Sequence, residues 1–159
     1  MYTLTVDDRE LVVTLMLGIL RNLDPDGTHL GATDPQKALR LAKESPLDVA
    51  FLDETGKAFY EHFGGHGISK ILTVEASGIA LSCMAAQYFQ IPVLFAKKAK
   101  SRNLDNDLYT AVARSYTYGI DNTLTVSKRF LTSDDHVLIM DDFLANGNAV
   151  SGLLDLCAQ

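Results

Sequence analysis

The sequence predicts an α/β protein, a three-layer sandwich around a mostly parallel, flavodoxin-like doubly wound sheet with a protruding β-hairpin. Three observations carry that prediction. Short apolar runs alternate with helical periodicity from Thr3 to Lys98, and buried strands that alternate with helices form a parallel sheet covered on both faces. After Lys98, two segments instead alternate with period two around Gly119-Ile120-Asp121-Asn122, the pattern of a hairpin. One more apolar run, HVLIM, then feeds a terminal helix.

Taken in order, TLTV (Thr3–Val6) is a β-rich run, and Asp8 can cap a helix to Leu20 with Leu11, Leu15 and Ile19 on one face. Asp24-Pro25-Asp26-Gly27 is turn chemistry, and HLGAT is a second candidate strand. Asp34-Pro35 opens a helix to Lys43 as N-cap and first-turn proline. DVAFLD (Asp48–Asp53) reads as a third strand, followed by a helix from Gly56 to Phe63 that breaks at Gly64-Gly65. KILTVE, a helix from Ser77 to Gln90, and PVLFAKK complete the alternating part. YTAVARSYT and TLTVSKRF form the hairpin, HVLIMDD is the last strand, and the last helix covers Asn146 to about Ala158.

With 159 residues the chain is one ordinary domain. Hydrophobic content of 47% against 21% charged is that of a globular rather than a disordered chain. A net charge of -6 excludes sequence-independent nucleic-acid binding, which needs a basic face. No apolar run is long enough to span a bilayer, and no basic-then-apolar leader opens the chain. Cys83 and Cys157 have no metal-ligand spacing and read as reduced core residues of a cytoplasmic protein. His62 and His66, four residues apart, lack the further ligands that a metal would need.

The chemistry concentrates in HVLIMDDFLANGNAVSGLLDL. Strand ends in open parallel sheets face ligand crevices beside helix N-termini. The helix-start N–H groups from Ala145 to Ala149 can cradle a phosphate, and Gly147 lets the backbone come close. Asp141 and Asp142 would repel that phosphate, so they should accept hydrogen bonds from hydroxyls of the same ligand. A phosphorylated sugar with vicinal hydroxyls meets both demands. A lone phosphate or sulfate ion would fill only the helix end.

VLIMDDFLANGNA closely resembles the phosphoribosyl pyrophosphate (PRPP) motif of type I phosphoribosyltransferases, in its xanthine phosphoribosyltransferase form. KILTVEASGIA, PVLFAKKAKSRNLDNDLYTA and SYTYGIDNTLTVSKRFL resemble that family's pyrophosphate-loop strand, mobile-loop region and hairpin, so the likeness covers roughly residues 56–159. The resemblance implies that Asp141 and Asp142 hold ribose hydroxyls. Ala145, Asn146, Gly147, Asn148 and Ala149 would bind the 5′-phosphate, and Ala76, Ser77 and Gly78 the pyrophosphate. Mg²⁺ would bridge pyrophosphate and ribose. The family's base-recognising hood and the strand after its PRPP helix are not legible here.

Residues 1–54 instead resemble the receiver domain of response regulators, through VDD, DPQKALRLAKES and DVAFLD. That likeness implies Asp53 as phosphoacceptor and Asp7, Asp8 and Asp53 as Mg²⁺ ligands, with Thr73 or Ser77 as the receiver's hydroxyl and Lys97 or Lys98 as its lysine. The expectation is therefore one α/β domain over residues 1–159, an engineered or recombined chimera without native catalysis that keeps a PRPP-binding loop. Two alternatives stand beside it: residual xanthine or purine phosphoribosyltransferase activity with PRPP and Mg²⁺, and a receiver-like switch at Asp53. In the transferase HVLIMDD would lie beside KILTVE, where DVAFLD also belongs. The favoured solution inserts HVLIMDD between them, and the other passes it to a partner chain in a domain-swapped homodimer.

Overall fold

Residues 49–63 depart furthest from these expectations. In the computed structural model, which describes residues 2–6, 9–13, 47, 49–99, 107–114, 121–142 and 147–159, they form one helix, Val49–Phe63 (α1). DVAFLD is therefore not a strand. A four-residue apolar run (VAFL) does not by itself distinguish a strand from a buried helix, and here the longer period decides. Thr55, Gly56, Phe59 and Phe63 are the buried positions of α1, spaced as one helical face, with Leu52 packed alongside.

Seven described strands form one sheet: β1 (Tyr2–Val6), β2 (Arg9–Val13), β3 (Lys70–Val74), β4 (Val93–Ala99), β5 (Leu108–Arg114), β6 (Asp121–Ser127) and β7 (Val137–Ile139). Their spatial order is β1-β2-β7-β3-β4-β6-β5. The central pairs β2/β7, β7/β3 and β3/β4 are parallel, while β1/β2, β4/β6 and β5/β6 are antiparallel. The parallel, doubly wound character is thus confined to the middle of the sheet.

Arg9–Val13, expected as part of a helix, is a strand, in keeping with its Leu-Val-Val content. The remainder of that helix, the second candidate strand and the Asp34–Lys43 helix lie outside the described residues. β7 does insert between β3 and an N-terminal strand within one chain, but that strand is β2. The hairpin does not protrude. Lys97, Lys98 and Ala99 of β4 pair with Thr125, Leu124 and Thr123 of β6, so β5 and β6 extend the sheet.

Two helices follow β3 and β7 respectively, α2 (Ser77–Phe89) and α3 (Asn148–Cys157). Alternation along β3 and β7 assigns side chains to two cores. Leu72, Val74, Val137 and Ile139 meet Leu153 and Leu156 of α3 on one face. Ile71, Leu138 and Met140 meet Phe59 and Phe63 of α1 and Leu81 and Ala85 of α2 on the other. The three layers follow from this period of two, and each such buried side chain contributes about 1.5–3 kcal/mol. Helices α1 and α2 touch through their backbones, since a Cβ at Gly56 would lie 2.8 Å from Ala85 N. Cys157 is in the core as expected, but Cys83 faces outward on α2.

Polar contacts at the amino end of β3 and β7 fix their register. Ser69 N–H donates to His136 O at 2.9 Å, and His136 N–H donates to Ser69 Oγ at 2.9 Å. Lys70 Nζ reaches Asp135 Oδ2 at 2.7 Å and Phe130 O at 2.6 Å. With Lys70 opposite Val137 and Leu72 opposite Ile139, the segments that follow the two strands emerge side by side.

Candidate functional site

Those two emerging segments form the candidate site. Met140 N–H donates to Leu72 O at 2.9 Å, which carries the β7 ladder one residue past its end and delivers Asp141 and Asp142 beside the end of β3. On the β3 side the chain turns through Glu75 and Ala76, whose shared peptide is cis, and enters α2 at Ser77. Glu75 Oε1 accepts the Lys98 N–H at 2.5 Å, which ties this turn to the end of β4.

Gly78 is where the two segments meet. A Cβ at this position would lie 3.6 Å from Asp141 Oδ1 and 2.1 Å from Thr73 Oγ1. Position 78 therefore has no room for a side chain, and the first turn of α2 comes close to Asp141.

The electrostatics of the pair are unfavourable without a ligand. Burial pushes the Asp141 carboxyl up, and the neighbouring Asp142 charge pushes it further, to about 7, with Lys98 pulling weakly the other way. Asp142 N–H donates to Asp141 Oδ1 at 3.0 Å. A carboxylate so placed gains from any donor that arrives, a sugar hydroxyl included.

At the start of α3, Gly147 has φ 79° and ψ 2°, the left-handed region that favours glycine, and its carbonyl accepts the Ser151 N–H at 2.8 Å. Asn148 and Ala149 form the first turn. Ala145 and Asn146 lie outside the described residues.

The receiver-like constellation is not assembled. Asp53 lies within α1, where Tyr88 of α2 donates its hydroxyl to Asp53 Oδ1 at 2.8 Å, and this bond raises the Tyr88 phenol above its ordinary pKa. It is not at a strand end. Asp7 and Asp8 are outside the described residues, and among those described no group of three or more His, Cys, Asp or Glu side chains could hold a metal. Thr73 is at the end of β3 as that reading wanted, but its neighbours are Gly78 and Asp141. Glu75 escaped the sequence reading, although an acid directly after a buried apolar strand was a usable signal.

Comparison with known proteins decides the family. The chain is 53% identical over 143 residues to a xanthine phosphoribosyltransferase of Bifidobacterium adolescentis, which covers 88% of this chain and 74% of that one. The chain belongs to the xanthine phosphoribosyltransferase family. It is also 53% identical over 113 residues to the Ruminiclostridium cellulolyticum xanthine phosphoribosyltransferase, and that match covers 71% of this chain and 60% of its relative. The crystal structure of the Giardia lamblia adenine phosphoribosyltransferase complexed with 9-deazaadenine superposes with a TM-score of 0.62 at 26% identity, over 76% of this chain and 62% of that one. No family model matches.

These findings overturn the chimera. A likeness over 88% of the chain runs well into residues 1–54, so one family accounts for both halves. Nothing supports a receiver segment, and the expectation of a splice without native catalysis falls with it. The apolar strand that suggested a receiver is the helix α1. Among the described residues no helix is long and apolar enough to cross a membrane.

Proposed function

We propose that the chain binds PRPP and transfers its 5-phosphoribosyl group to a purine base of the xanthine type, releasing pyrophosphate. The bond from C1′ to the pyrophosphate oxygen breaks, the bond from C1′ to the base nitrogen forms, and the base loses its proton. The observation that carries this reading is the approach of the Asp141 carboxyl to the first turn of α2 at Gly78, 3.6 Å from where a Cβ would sit, within a chain of this family.

Each part of PRPP then has a place. Asp141 and Asp142 accept hydrogen bonds from the ribose hydroxyls. Backbone N–H groups of Gly147, Asn148 and Ala149, at the positive end of α3, take the 5′-phosphate, with those of Ala145 and Asn146 from the same motif. Ala76, Ser77 and Gly78 turn the first N–H groups of α2 toward the pyrophosphate. The transition state resembles an oxocarbenium ion, so positive charge grows at the sugar while negative charge grows on the departing group. The acidic pair favours the first, and the helix N–H groups favour the second.

The donor chemistry also fits Mg²⁺, because two adjacent carboxylates completed by substrate oxygens are its usual surroundings. Asp141 and Asp142 would hold it, and it would supply charge neutralisation for the leaving group.

Titration with PRPP in the presence of Mg²⁺, followed by thermal unfolding, tests the reading. A chain that binds must gain stability as the ligand exceeds its Kd. The expected result is a rise in Tm that saturates with PRPP and is at least tenfold less sensitive (about 1.4 kcal/mol) in Gly147→Val, where a branched side chain occupies a left-handed residue. Pyrophosphate release on adding xanthine would then establish transfer. No change in Tm at millimolar PRPP would end the proposal.

A further inference from the structure

Three buried side-chain polar atoms lack a hydrogen-bond partner among the described residues: Thr73 Oγ1, Ser82 Oγ and His136 Nε2. Ser82 lies in the middle of α2 and His136 at the amino end of β7. Thr73 alone is at the ligand end of the sheet. It is fully buried, one hydroxyl in the otherwise apolar run of β3 after Lys70. A hydroxyl buried without a partner is costly, and a native one calls for an explanation.

Its neighbour supplies the explanation. Thr73 Oγ1 and Asp141 Oδ1 both lie within 3.6 Å of one point, the place a Cβ would take at Gly78. Asp141 is partly buried, and its one donor among the described residues is the Asp142 N–H. Among the described residues, a buried hydroxyl without an acceptor thus lies near a carboxyl whose backbone donor is the Asp142 N–H alone. Each deficiency matches the other, and only glycine at position 78 leaves the space between them open.

We propose that Thr73 is a positioning residue for phosphoribosyl transfer, its hydroxyl held unpartnered beneath Gly78 until ribose hydroxyls engage Asp141, when it donates to that carboxylate and fixes its orientation. It touches no substrate and acts through Asp141. A hydrogen bond to a charged acceptor in such a setting is stronger than one between neutral groups. The cost of the orphan in the free protein is therefore recovered on binding. This rests on the PRPP reading above.

Thr73→Ser and Thr73→Ala differ by one oxygen and share the loss of the methyl group, so their comparison isolates the hydroxyl. We expect the serine variant to bind PRPP with Mg²⁺ within about threefold of wild type and the alanine variant about tenfold more weakly. The unliganded alanine variant should nevertheless melt no lower than the serine variant, since it has lost only an unsatisfied group. A hydroxyl of purely structural value would give the reverse, with different Tm values and equal affinities, and would overturn the proposal. Equal weakening in both variants would also overturn it, by assigning the effect to packing. In an Asp141→Ala background the serine and alanine variants should bind alike, and a persisting tenfold difference would show that Thr73 does not act through Asp141. If wild type itself fails to bind PRPP, the functional reading is what has failed, and the role of Thr73 falls with it.

Discussion

Asp135 and Asp141 flank β7, two residues before it and two after it, and their surroundings are opposite. At the amino end, Asp135 accepts hydrogen bonds from Lys70 Nζ at 2.7 Å, Thr132 N at 2.9 Å and Ser69 Oγ at 3.2 Å. Burial pushes its carboxyl up, but the bonds from Lys70 and Thr132, with the Lys70 charge, outweigh burial and leave its pKa below the ordinary value. At the carboxyl end, burial and the Asp142 charge drive Asp141 up to about 7. Among the described residues one acid is met by several donors, and the other by the Asp142 N–H. The difference teaches that one end of this strand is electrostatically settled while the other carries a buried acid at a cost, which is the end to which the proposed function assigns the ligand.

Breaking the satisfied end should have the largest effect. The Lys70 and Asp135 side chains are only 14% and 13% exposed, so removing one partner strands a largely buried charge. Lys70→Met should cost about 3 kcal/mol of stability near neutral pH. The sign with pH follows from the lowered pKa of Asp135. Its contribution is present above the ordinary carboxylate range and is lost as pH falls through the folded-state value. Urea unfolding near pH 7 and again near pH 3 should therefore show the difference between variant and wild type shrinking in acid. An equal cost at both pH values would mean that packing of the lysine stem, not the ion pair, is what was lost.

Relieving the unsatisfied end should act in the opposite direction. With Asp141 raised in the folded state, the native chain holds a proton that the unfolded chain releases near pH 4, so stability falls as pH rises from there to about 7. Asp141→Asn removes the charge. The variant should be more stable than wild type by on the order of 2 kcal/mol near pH 8, and no more stable near pH 4. It should also bind PRPP more weakly, since a neutral amide is a poorer acceptor for ribose hydroxyls. A variant destabilised at both pH values would show that Asp141 is not the strained group.

Legibility in the sequence divided along the same chain. From Lys70 onward the elements could be read in order, because strands covered on both faces are unbroken apolar runs (ILTV, VLFA, VLIM) and the hairpin alternates. The acidic pair and Gly147 were legible as a motif for the same reason, being contiguous. Thr73, Gly78 and Asp141 were not legible as a group, since β3, α2 and β7 bring them together and no spacing encodes that distance. DVAFLD failed differently. Short apolar stretches with flanking acids occur in every α/β chain, and they suggested both a strand and a second family. The helical spacing of Thr55, Phe59 and Phe63, just beyond the run, was the signal that would have corrected it.

The smallest effect tests whether the two ends of the sheet are separable. Ser69 Oγ donates to Asp135 Oδ1 at 3.2 Å and accepts the His136 N–H at 2.9 Å, while the backbone bond from Ser69 N to His136 O needs no side chain. Ser69→Ala should therefore keep the register of β3 and β7 and lose only the hydroxyl's contacts, which also include a long one of 3.5 Å to His136 O, at about 1 kcal/mol. PRPP affinity should stay within about twofold of wild type, because sites without shared partners behave independently. Denaturation and PRPP titration on the same preparation check both numbers. An affinity loss as large as the stability loss would mean that the register of β7, set at its amino end, is transmitted to Asp141, and that rigidity and binding are one property of this strand.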